Sequence, residues 1–190
     1  LNYHDHAAEM GHALPEEPVI FLKPPSTLLD PGLAIRRPPS SSRVDYEAEL
    51  ALVIGKKVGP GMDTADAIFG FTCANDVTAR DLQKKDGQWT RAKGFDTFCP
   101  MGPLLVRGAD MSDARVQCLV NGKTVQDSRT SQLIFGPQAI VNFVAGIMTL
   151  LPGDAILTGT PGGIGPLYAG DTVEVRIEGV GALVNQVLDS

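Results

Sequence analysis

Cysteine is scarce in this chain, and the arrangement of the few that occur excludes two classes of small, cross-linked protein. Among the 190 residues only Cys73, Cys99 and Cys118 are cysteines, and no two of them form a C-x-x-C pair. An odd number without such pairs argues against a disulfide framework and against a structural zinc site. Unpaired cysteines are typical of a reducing compartment, so the sequence predicts a cytoplasmic protein.

Positive charge and long apolar runs are lacking as well. The 16 Lys and Arg residues are outnumbered by 22 Asp and Glu residues, which gives a formal net charge of −6. Such a surface does not favour nucleic acid or an anionic membrane. The longest nearly apolar run, residues 139–151, is interrupted by Asn142 and is shorter than the ~20 residues that a bilayer requires. The first residues are polar and show no secretory signal. We therefore expect neither a nucleic-acid partner nor a membrane partner.

Glycine and proline are abundant, with 21 and 14 residues, and 43% of the chain is hydrophobic. This length and composition predict a single domain spanning residues 1–190, with many turns and short strands. Asn121-Gly122 between two apolar segments predicts a β-hairpin. Because predicted helices do not alternate with the strands, we expect an α+β, mostly β protein and not a doubly wound parallel sheet.

One amphipathic helix is predicted after Gly136-Pro137. Proline is tolerated in the first turn of a helix, and apolar residues then recur at helical spacing. The residues predicted for the buried face are Ile140, Val144, Met148 and Leu151.

The segment "VDYEAELALVIG", residues 44–55, is predicted to be a strand with two acidic residues on one face. Glu47 and Glu49 are two positions apart, so their side chains point the same way, and the face continues with Ala51 and Val53. A solvated surface face is one interpretation of this pattern. The other is a cation site, because neighbouring carboxylates in poor solvent either raise one pKa or recruit a cation. Oxygen ligands suit Mg²⁺, Mn²⁺ or Ca²⁺ better than zinc.

Asp76, at the end of "IFGFTCAND", is the candidate third ligand. The alternative is that it caps the N-terminus of the short helix predicted in "VTARDLQKK". Arg80 and Gln83 lie near one face of that helix and could bind an anion beside the carboxylate. Lys93 is either a surface amine with a buried stem or a charged group of the same site. Thr160, in the glycine-rich "LLPGDAILTGTPGGIG", either belongs to a plain turn or offers a hydroxyl to an oxyanion.

His6 and Glu9, in "DHAAEMG", stand three positions apart on a predicted single helical turn. A glutamate that accepts a hydrogen bond from an imidazole orients it as a general base. The alternative is a solvent-exposed pair in a flexible end. A zinc site formed by His4, His6 and His12 lacks a fourth ligand at suitable spacing.

Six segments follow one another in a recognisable order: "NYHDHAAEMG", "PVIFLKPPSTL", "DYEAELALVIGKK", "GFTCANDVTARDLQ", "WTRAKGFDTFCPMGP" and "LPGDAILTGTPGGIG". Together they resemble the fumarylacetoacetate hydrolase family over essentially the whole chain. The resemblance implies a mixed β-roll with few short helices, and a homodimer. It also implies a further strand or small segment upstream of residue 1.

The resemblance also implies roles for individual residues. The implied ligands of a divalent metal are Glu47, Glu49 and Asp76. The implied catalytic residues, a water-activating dyad and a lysine that stabilises an enolate, are His6, Glu9 and Lys93. The implied substrate contacts are Arg80, Gln83 and Thr160. Lys23, in "FLKP", matches a lysine near the family's site and is given no role.

From these residues we expect a metal-dependent hydrolase that cleaves a C–C bond in a 2,4-dioxo acid of the acylpyruvate or fumarylpyruvate type, through a metal-bound enolate. Such a reaction is typical of aromatic catabolism, with Mg²⁺, Mn²⁺ or Ca²⁺ as cofactor. The alternative is a decarboxylase or isomerase of an oxo-diacid, of the oxaloacetate or 2-hydroxyhepta-2,4-diene-1,7-dioate type. A second alternative is a non-catalytic domain that holds a metal for binding.

Overall fold

The structure is a computed structural model and describes residues 2–5, 7, 11 and 13–190. Its strands are β1 (Leu28–Leu29), β2 (Ala34–Arg37), β3 (Val44–Tyr46), β4 (Ala48–Ile54), β5 (Ile68–Asn75), β6 (Thr78–Ala79), β7 (Cys99–Val106), β8 (Arg115–Val120), β9 (Lys123–Arg129), β10 (Ala155–Leu157), β11 (Gly165–Pro166), β12 (Thr172–Ile177) and β13 (Gly181–Asp189). Its α-helices are α1 (Arg80–Asp86), α2 (Thr90–Lys93) and α3 (Pro137–Ile147), and two 3₁₀ turns cover Pro25–Thr27 and Thr130–Gln132. The predicted α+β, mostly β class is confirmed.

The strands form three sheets that share one core. Two five-stranded sheets have the orders β1-β7-β5-β4-β10 and β2-β13-β12-β8-β9, and a small sheet has the order β11-β3-β6. Pairing is antiparallel except between β1 and β7 and between β13 and β2. Buried residues of both large sheets, such as Leu52 of β4 and Val175 of β12, belong to one hydrophobic cluster. The core therefore lies between the two large sheets.

The sequence predicted one continuous strand over residues 44–55. In the structure this segment is interrupted at Glu47. β3 pairs with β6 and β11, whereas β4 pairs with β5 and β10. At the break, the Glu47 N–H donates to the side-chain oxygen of Asn75, at the end of β5, at 2.9 Å instead of to a backbone carbonyl of a paired strand. Glu47 therefore lies at the junction of two sheets.

Asp76 does not cap a helix, so that interpretation is wrong. After Asp76 the chain first forms β6, which pairs with β3, and this extended pairing delays the start of α1 to Arg80. The N-cap of α1 is Ala79, which makes no side-chain capping bond. The Asp76 carboxylate is therefore available for other partners.

Two local predictions can be compared directly with the structure. Asn121 and Gly122, with φ of 51° and 78°, connect β8 to β9, which confirms the hairpin. Helix α3 begins at Pro137 as predicted, but it ends at Ile147, so the predicted buried face is too long. Beyond it the chain is extended, and Leu150, whose backbone pairs with that of Val58, is buried while Leu151 is 51% exposed.

The three cysteines are buried and free, in agreement with the expected lack of disulfides. Within the described ranges, no helix is both long enough and apolar enough to cross a membrane.

The core assignment predicts a large loss of stability when Leu52 is shortened. Leu52 is fully buried in β4, between β5 and β10, and truncation of a buried leucine to alanine leaves a cavity that costs about 2–5 kcal/mol. Leu52→Ala should lower the urea midpoint of unfolding accordingly. The control is Leu151→Ala at the exposed position, which should change the free energy of unfolding by less than about 0.5 kcal/mol. Equal effects of the two variants would contradict the position of the core.

Candidate metal centre

Three carboxylates that are separate in the sequence meet at the junction between the sheets. Glu47 follows β3, Glu49 lies in β4 and Asp76 follows β5. One oxygen of each lies within 4.8 Å of the others, and the residues are only 6%, 3% and 1% exposed. We call Glu47, Glu49 and Asp76 the carboxylate centre.

Two lysines contact the carboxylate centre. Lys93 Nζ, at the end of α2, lies 2.9 Å from Glu47 Oε2 and 2.5 Å from Asp76 Oδ2. Lys23 Nζ lies 2.8 Å from the other Asp76 oxygen and donates to the Lys93 backbone oxygen at 2.6 Å. Lys93 is 2% exposed, and its ammonium group lies 5.0 Å from the centre of the Phe21 ring. Lys93 is thus not a surface amine, and Lys23 has a defined contact that the sequence did not indicate.

Arg80 also contacts the carboxylate centre, from the first turn of α1. Its guanidinium is paired with Glu47 Oε1 through one terminal nitrogen, and the other terminal nitrogen donates to Gln83 Oε1 at 2.7 Å. The Arg80 Nε lies 3.0 Å from a carboxylate oxygen of Asp45. Arg80 and Gln83 are therefore adjacent, as their spacing predicted. Their contact with a substrate stays a prediction.

Thr160 packs against the backbone of β4 at Ala48, the residue between Glu47 and Glu49 in the sequence. Its hydroxyl donates to the Ala48 backbone oxygen at 2.9 Å and accepts a hydrogen bond from Gln126 Nε2 at 2.9 Å. Gln126 in turn accepts the Ala48 N–H at 3.0 Å. The hydroxyl thus ties the loop after β10 to β4, and its contact with a substrate stays a prediction.

Glu49 differs from the other two carboxylates because it has no ion pair within the described part of the chain. It accepts the Gly159 N–H at 2.6 Å. Burial would raise the pKa of Glu47, but the charges of Lys93 and Arg80 outweigh it and lower the pKa to about 2. For Glu49, burial raises the pKa well above its usual value, and the charges of Asp76 and Glu47 raise it further.

This donor set fits a hard divalent cation. All three donors are carboxylate oxygens, which Mg²⁺, Mn²⁺ and Ca²⁺ prefer. The three oxygens are close enough to share one ion, and Glu49 is the member of the centre that has no ion pair among the described residues.

The N-terminal segment docks beside Glu49 through Asn2. The Asn2 amide donates to the backbone oxygens of Phe135 and Thr158 at 3.0 and 2.7 Å, and its oxygen accepts the Phe135 N–H at 2.8 Å. Gly159, which holds Glu49, has a φ of +99°, and a Cβ there would lie 2.8 Å from Asn2 Cβ. Residue 2 thus packs directly against the loop that binds the carboxylate centre.

His6 and Glu9 lie outside the described residues, so their dyad stays a prediction. His12 lies outside them too, and His4 is exposed, so the zinc alternative gains no support. Asp45 was not predicted to take part, although it lies on the same alternating face as Glu47 and Glu49. Asp45 is 0% exposed, and the sequence gives no sign of this burial.

A buried oxygen-only acid cluster with lysine and arginine around it is typical of a divalent-metal enzyme that handles small anions. A family model described as the C-terminal domain of fumarylacetoacetate (FAA) hydrolase matches residues 1–188. The chain therefore belongs to the fumarylacetoacetate hydrolase family, which confirms the resemblance and the family fold that it implied.

Two relatives illustrate the range of this similarity. An uncharacterised protein of Methanocaldococcus jannaschii is 56% identical over 191 residues, which cover 100% of this chain and 81% of the relative. The mitochondrial oxaloacetate tautomerase Fahd2a of Rattus norvegicus is 43% identical over 202 residues, which cover 99% of this chain and 64% of that protein.

Three solved structures are also similar over 100% of this chain. A 5-carboxymethyl-2-hydroxymuconate delta-isomerase from Mycobacterium smegmatis is 49% identical with a TM-score of 0.93, and 76% of it is covered. A 2-hydroxyhepta-2,4-diene-1,7-dioate isomerase from Mycobacterium marinum is 48% identical with a TM-score of 0.91, and 72% is covered. A fumarylacetoacetate hydrolase from Exiguobacterium antarcticum is 40% identical with a TM-score of 0.89, and 73% is covered. Enzymes of several reaction types thus share this fold.

The carboxylate centre predicts that Glu49 is required for metal binding. Glu49→Gln keeps the size of the side chain but removes the charge that a cation needs, so Mn²⁺ affinity measured by calorimetry should fall by more than about 100-fold, beyond the effect of an outer-shell change. The control is Glu17→Gln at an exposed glutamate, which should bind Mn²⁺ as the unaltered protein does. Unchanged affinity of Glu49→Gln would exclude this residue as a ligand.

The raised pKa of Glu49 predicts that metal binding releases a proton. Without metal, this acid keeps its proton at pH values where an exposed glutamate is ionised, and a cation must displace that proton. Mn²⁺ affinity should therefore rise with pH, by up to about tenfold per pH unit, until the pH exceeds the pKa of Glu49. Calorimetry in buffers with different ionisation enthalpies measures the released proton. An affinity that does not depend on pH above the range in which exposed glutamates titrate would contradict this expectation.

Proposed function

We propose that this protein is a divalent-metal-dependent tautomerase or isomerase of 2-oxo-diacids, the alternative to C–C hydrolysis in the sequence-based expectation. The observation that carries the proposal is the buried carboxylate centre with a lysine ammonium on two of its three members. Similar proteins named as an oxaloacetate tautomerase, a 2-hydroxyhepta-2,4-diene-1,7-dioate isomerase and a 5-carboxymethyl-2-hydroxymuconate delta-isomerase favour this reaction type over hydrolysis.

Glu47, Glu49 and Asp76 are the residues that would hold the metal, with Mg²⁺ or Mn²⁺ preferred and Ca²⁺ as an alternative. When bound, such an ion supplies Lewis-acid chemistry that polarises the oxygens of an oxo acid and makes its neighbouring C–H group more acidic.

Lys93 is suited to stabilise negative charge that develops on the substrate. Burial would lower its pKa, but the charges of Asp76 and Glu47 outweigh burial and raise the pKa to about 12. These contacts favour the ammonium form of Lys93, and this form donates hydrogen bonds. A fixed cation in a buried site stabilises a developing enolate more strongly than water does.

The balance of charges around the centre suits a doubly charged substrate. Among the described residues, eight ionisable side chains are connected by the contacts given above or by the pairing of Arg43 with Asp45 at 2.8 Å. The four cations are Arg43, Arg80, Lys23 and Lys93, and the four acids are Asp45, Glu47, Glu49 and Asp76. When all are ionised the charges cancel, so a divalent cation leaves an excess of two positive charges. A dicarboxylate would neutralise this excess.

C–C hydrolysis is the second candidate. It is supported by the similarity to the fumarylacetoacetate hydrolase from Exiguobacterium antarcticum and by the presence of His6 and Glu9 in the sequence. Hydrolysis requires a general base that activates water, which is the role expected of His6 oriented by Glu9.

We propose further that two copies form a homodimer in the cytoplasm. Leu33, Leu104, Leu105 and Val184 are 38–57% exposed, on the neighbouring strands β7 and β13 and beside β2. An exposed apolar surface of this kind is typical of a protein interface.

The three buried, free cysteines are compatible with a reducing compartment.

A panel of substrates with Mg²⁺ or Mn²⁺ tests the proposed reaction. We expect faster tautomerisation of oxaloacetate, or isomerisation of an unsaturated 2-oxo-diacid, than cleavage of an acylpyruvate, with the enol followed by its ultraviolet absorbance. Lys93→Met should lower kcat by about 10²- to 10³-fold, the usual cost of losing one group that stabilises an oxyanion.

Two controls accompany this panel. A chelator should abolish the activity, and Lys57→Met, at an exposed lysine, should leave kcat unchanged. Acylpyruvate cleavage as the fastest reaction would favour the hydrolytic candidate instead. No metal-dependent reaction with any of these acids would refute both.

A further inference from the structure

Asp45 is a fully buried carboxylate that lies two residues before the carboxylate centre. It belongs to β3, where its backbone pairs with Thr78 of β6 and Pro166 of β11. Its side chain is 0% exposed and accepts hydrogen bonds from Arg80 Nε at 3.0 Å and from Arg43 Nε at 2.8 Å. The backbone thus serves the small sheet, while the carboxylate contacts two guanidinium groups.

The two guanidinium groups are in different positions. The Arg43 side chain is 49% exposed, so water can solvate it without Asp45. The Arg80 side chain is 14% exposed and is paired with Asp45 on one side and with Glu47 on the other. Because a guanidinium is planar and carries its donors in a rigid fork, anchoring Nε on Asp45 also fixes the direction of the terminal nitrogens.

One of those terminal nitrogens determines which oxygen of Glu47 is available. Arg80 binds Glu47 Oε1, whereas Oε2 faces Lys93, which also contacts Asp76. With Oε1 held by Arg80, Oε2 is the Glu47 oxygen that shares the Lys93 ammonium with Asp76.

We infer that Asp45 is a positioning residue for the metal centre, which acts by holding Arg80 so that Arg80 holds Glu47. This inference rests on the proposed function, since it assumes that the carboxylate centre binds a divalent cation. In the contacts described, Asp45 is joined to the centre through Arg80. Outer-shell groups that orient a metal ligand usually change metal affinity by about 10- to 100-fold when they are removed.

Asp45→Asn is the direct test, because it keeps the shape of the side chain and removes its charge. An asparagine has one acceptor oxygen and one donor NH₂ group, so it cannot accept from both arginines with both of its terminal atoms. Arg80 then loses one of its two carboxylate partners, and its positive charge beside the centre is no longer offset by Asp45. Both effects weaken Mn²⁺ binding, and we expect about a tenfold loss of affinity in calorimetry.

Asp81→Asn is the matched control. Asp81 also lies in the first turn of α1, next to Arg80. Its carboxylate accepts hydrogen bonds from Ser41 and Ser42, and these described contacts include neither Asp45 nor the carboxylate centre. If Asp45 only supported the fold around α1, both variants would change Mn²⁺ affinity in proportion to their loss of melting temperature. We expect Asp81→Asn to bind Mn²⁺ like the unaltered protein, even where it lowers the melting temperature.

A double-mutant cycle tests whether Asp45 acts through Arg80. A lysine at position 80 keeps the charge, but its single ammonium cannot hold Asp45 and Glu47 together as the fork does. Arg80→Lys should therefore weaken Mn²⁺ binding by a similar factor, and the double variant should lose little more than either single variant. If Asp45→Asn does not fold, Arg80→Lys alone carries the test, and unchanged affinity of that variant overturns the inference.

The outcomes separate this inference from the proposed function. If the unaltered protein does not bind Mn²⁺, the proposed metal site fails and the inference falls with it. If it binds Mn²⁺ and Asp45→Asn binds it within about twofold, only the role of Asp45 is refuted, because even a weak outer-shell role costs more than that. Additive losses in the double variant would also refute it, since the two residues would then act independently.

Discussion

Repulsion among three buried carboxylates is the constraint on which the rest of this structure depends. Three acids that bring oxygens within 4.8 Å of one another cannot all remain ionised in a buried site unless cations neutralise them. The chain supplies those cations from three places, with Lys23 before a 3₁₀ turn, Arg80 at the start of α1 and Lys93 at the end of α2. Each of the two short helices α1 and α2 thus contributes one cation to the centre. Glu49, which has no ion pair among the described residues, makes this arrangement suited to a divalent ion.

Much of the site could be predicted because part of its geometry is local. Glu47 and Glu49 are two positions apart and must be close on extended chain, and Arg80 and Gln83 must be close on a helix. Local spacing could not place Lys23, Lys93 and Asp45, because their partners are brought near by tertiary pairing. Lys23 and Asp76, for example, are 53 positions apart in the chain. Only the family resemblance placed the two lysines near the site, and nothing placed Asp45 there. The dyad of His6 and Glu9 was predicted from spacing and resemblance, and it lies outside the described residues.

The fold predictions show the same limit. The hairpin at Asn121-Gly122 was predictable because positive φ at both positions is a property of those residue types. The continuous strand through Glu47 was wrong because a side chain from another strand, that of Asn75, replaces the expected backbone partner. The cap at Asp76 was wrong because pairing of β6 with β3 keeps the chain extended until Arg80. In each failure, a distant segment overrides a correct local preference.

The docking of Asn2 has a consequence for the order in which the chain matures on the ribosome. Asn2 bonds the backbone of Thr158, 156 positions later, and that of Phe135, 133 positions later. These partners of Asn2 are therefore synthesised more than 130 positions after Asn2 itself. The lysine-bound acids Glu47 and Asp76 emerge before the Gly159 amide that holds Glu49. The carboxylate centre is thus completed only when the loop after β10 has been synthesised. A nascent chain stopped before β10 would lack this loop.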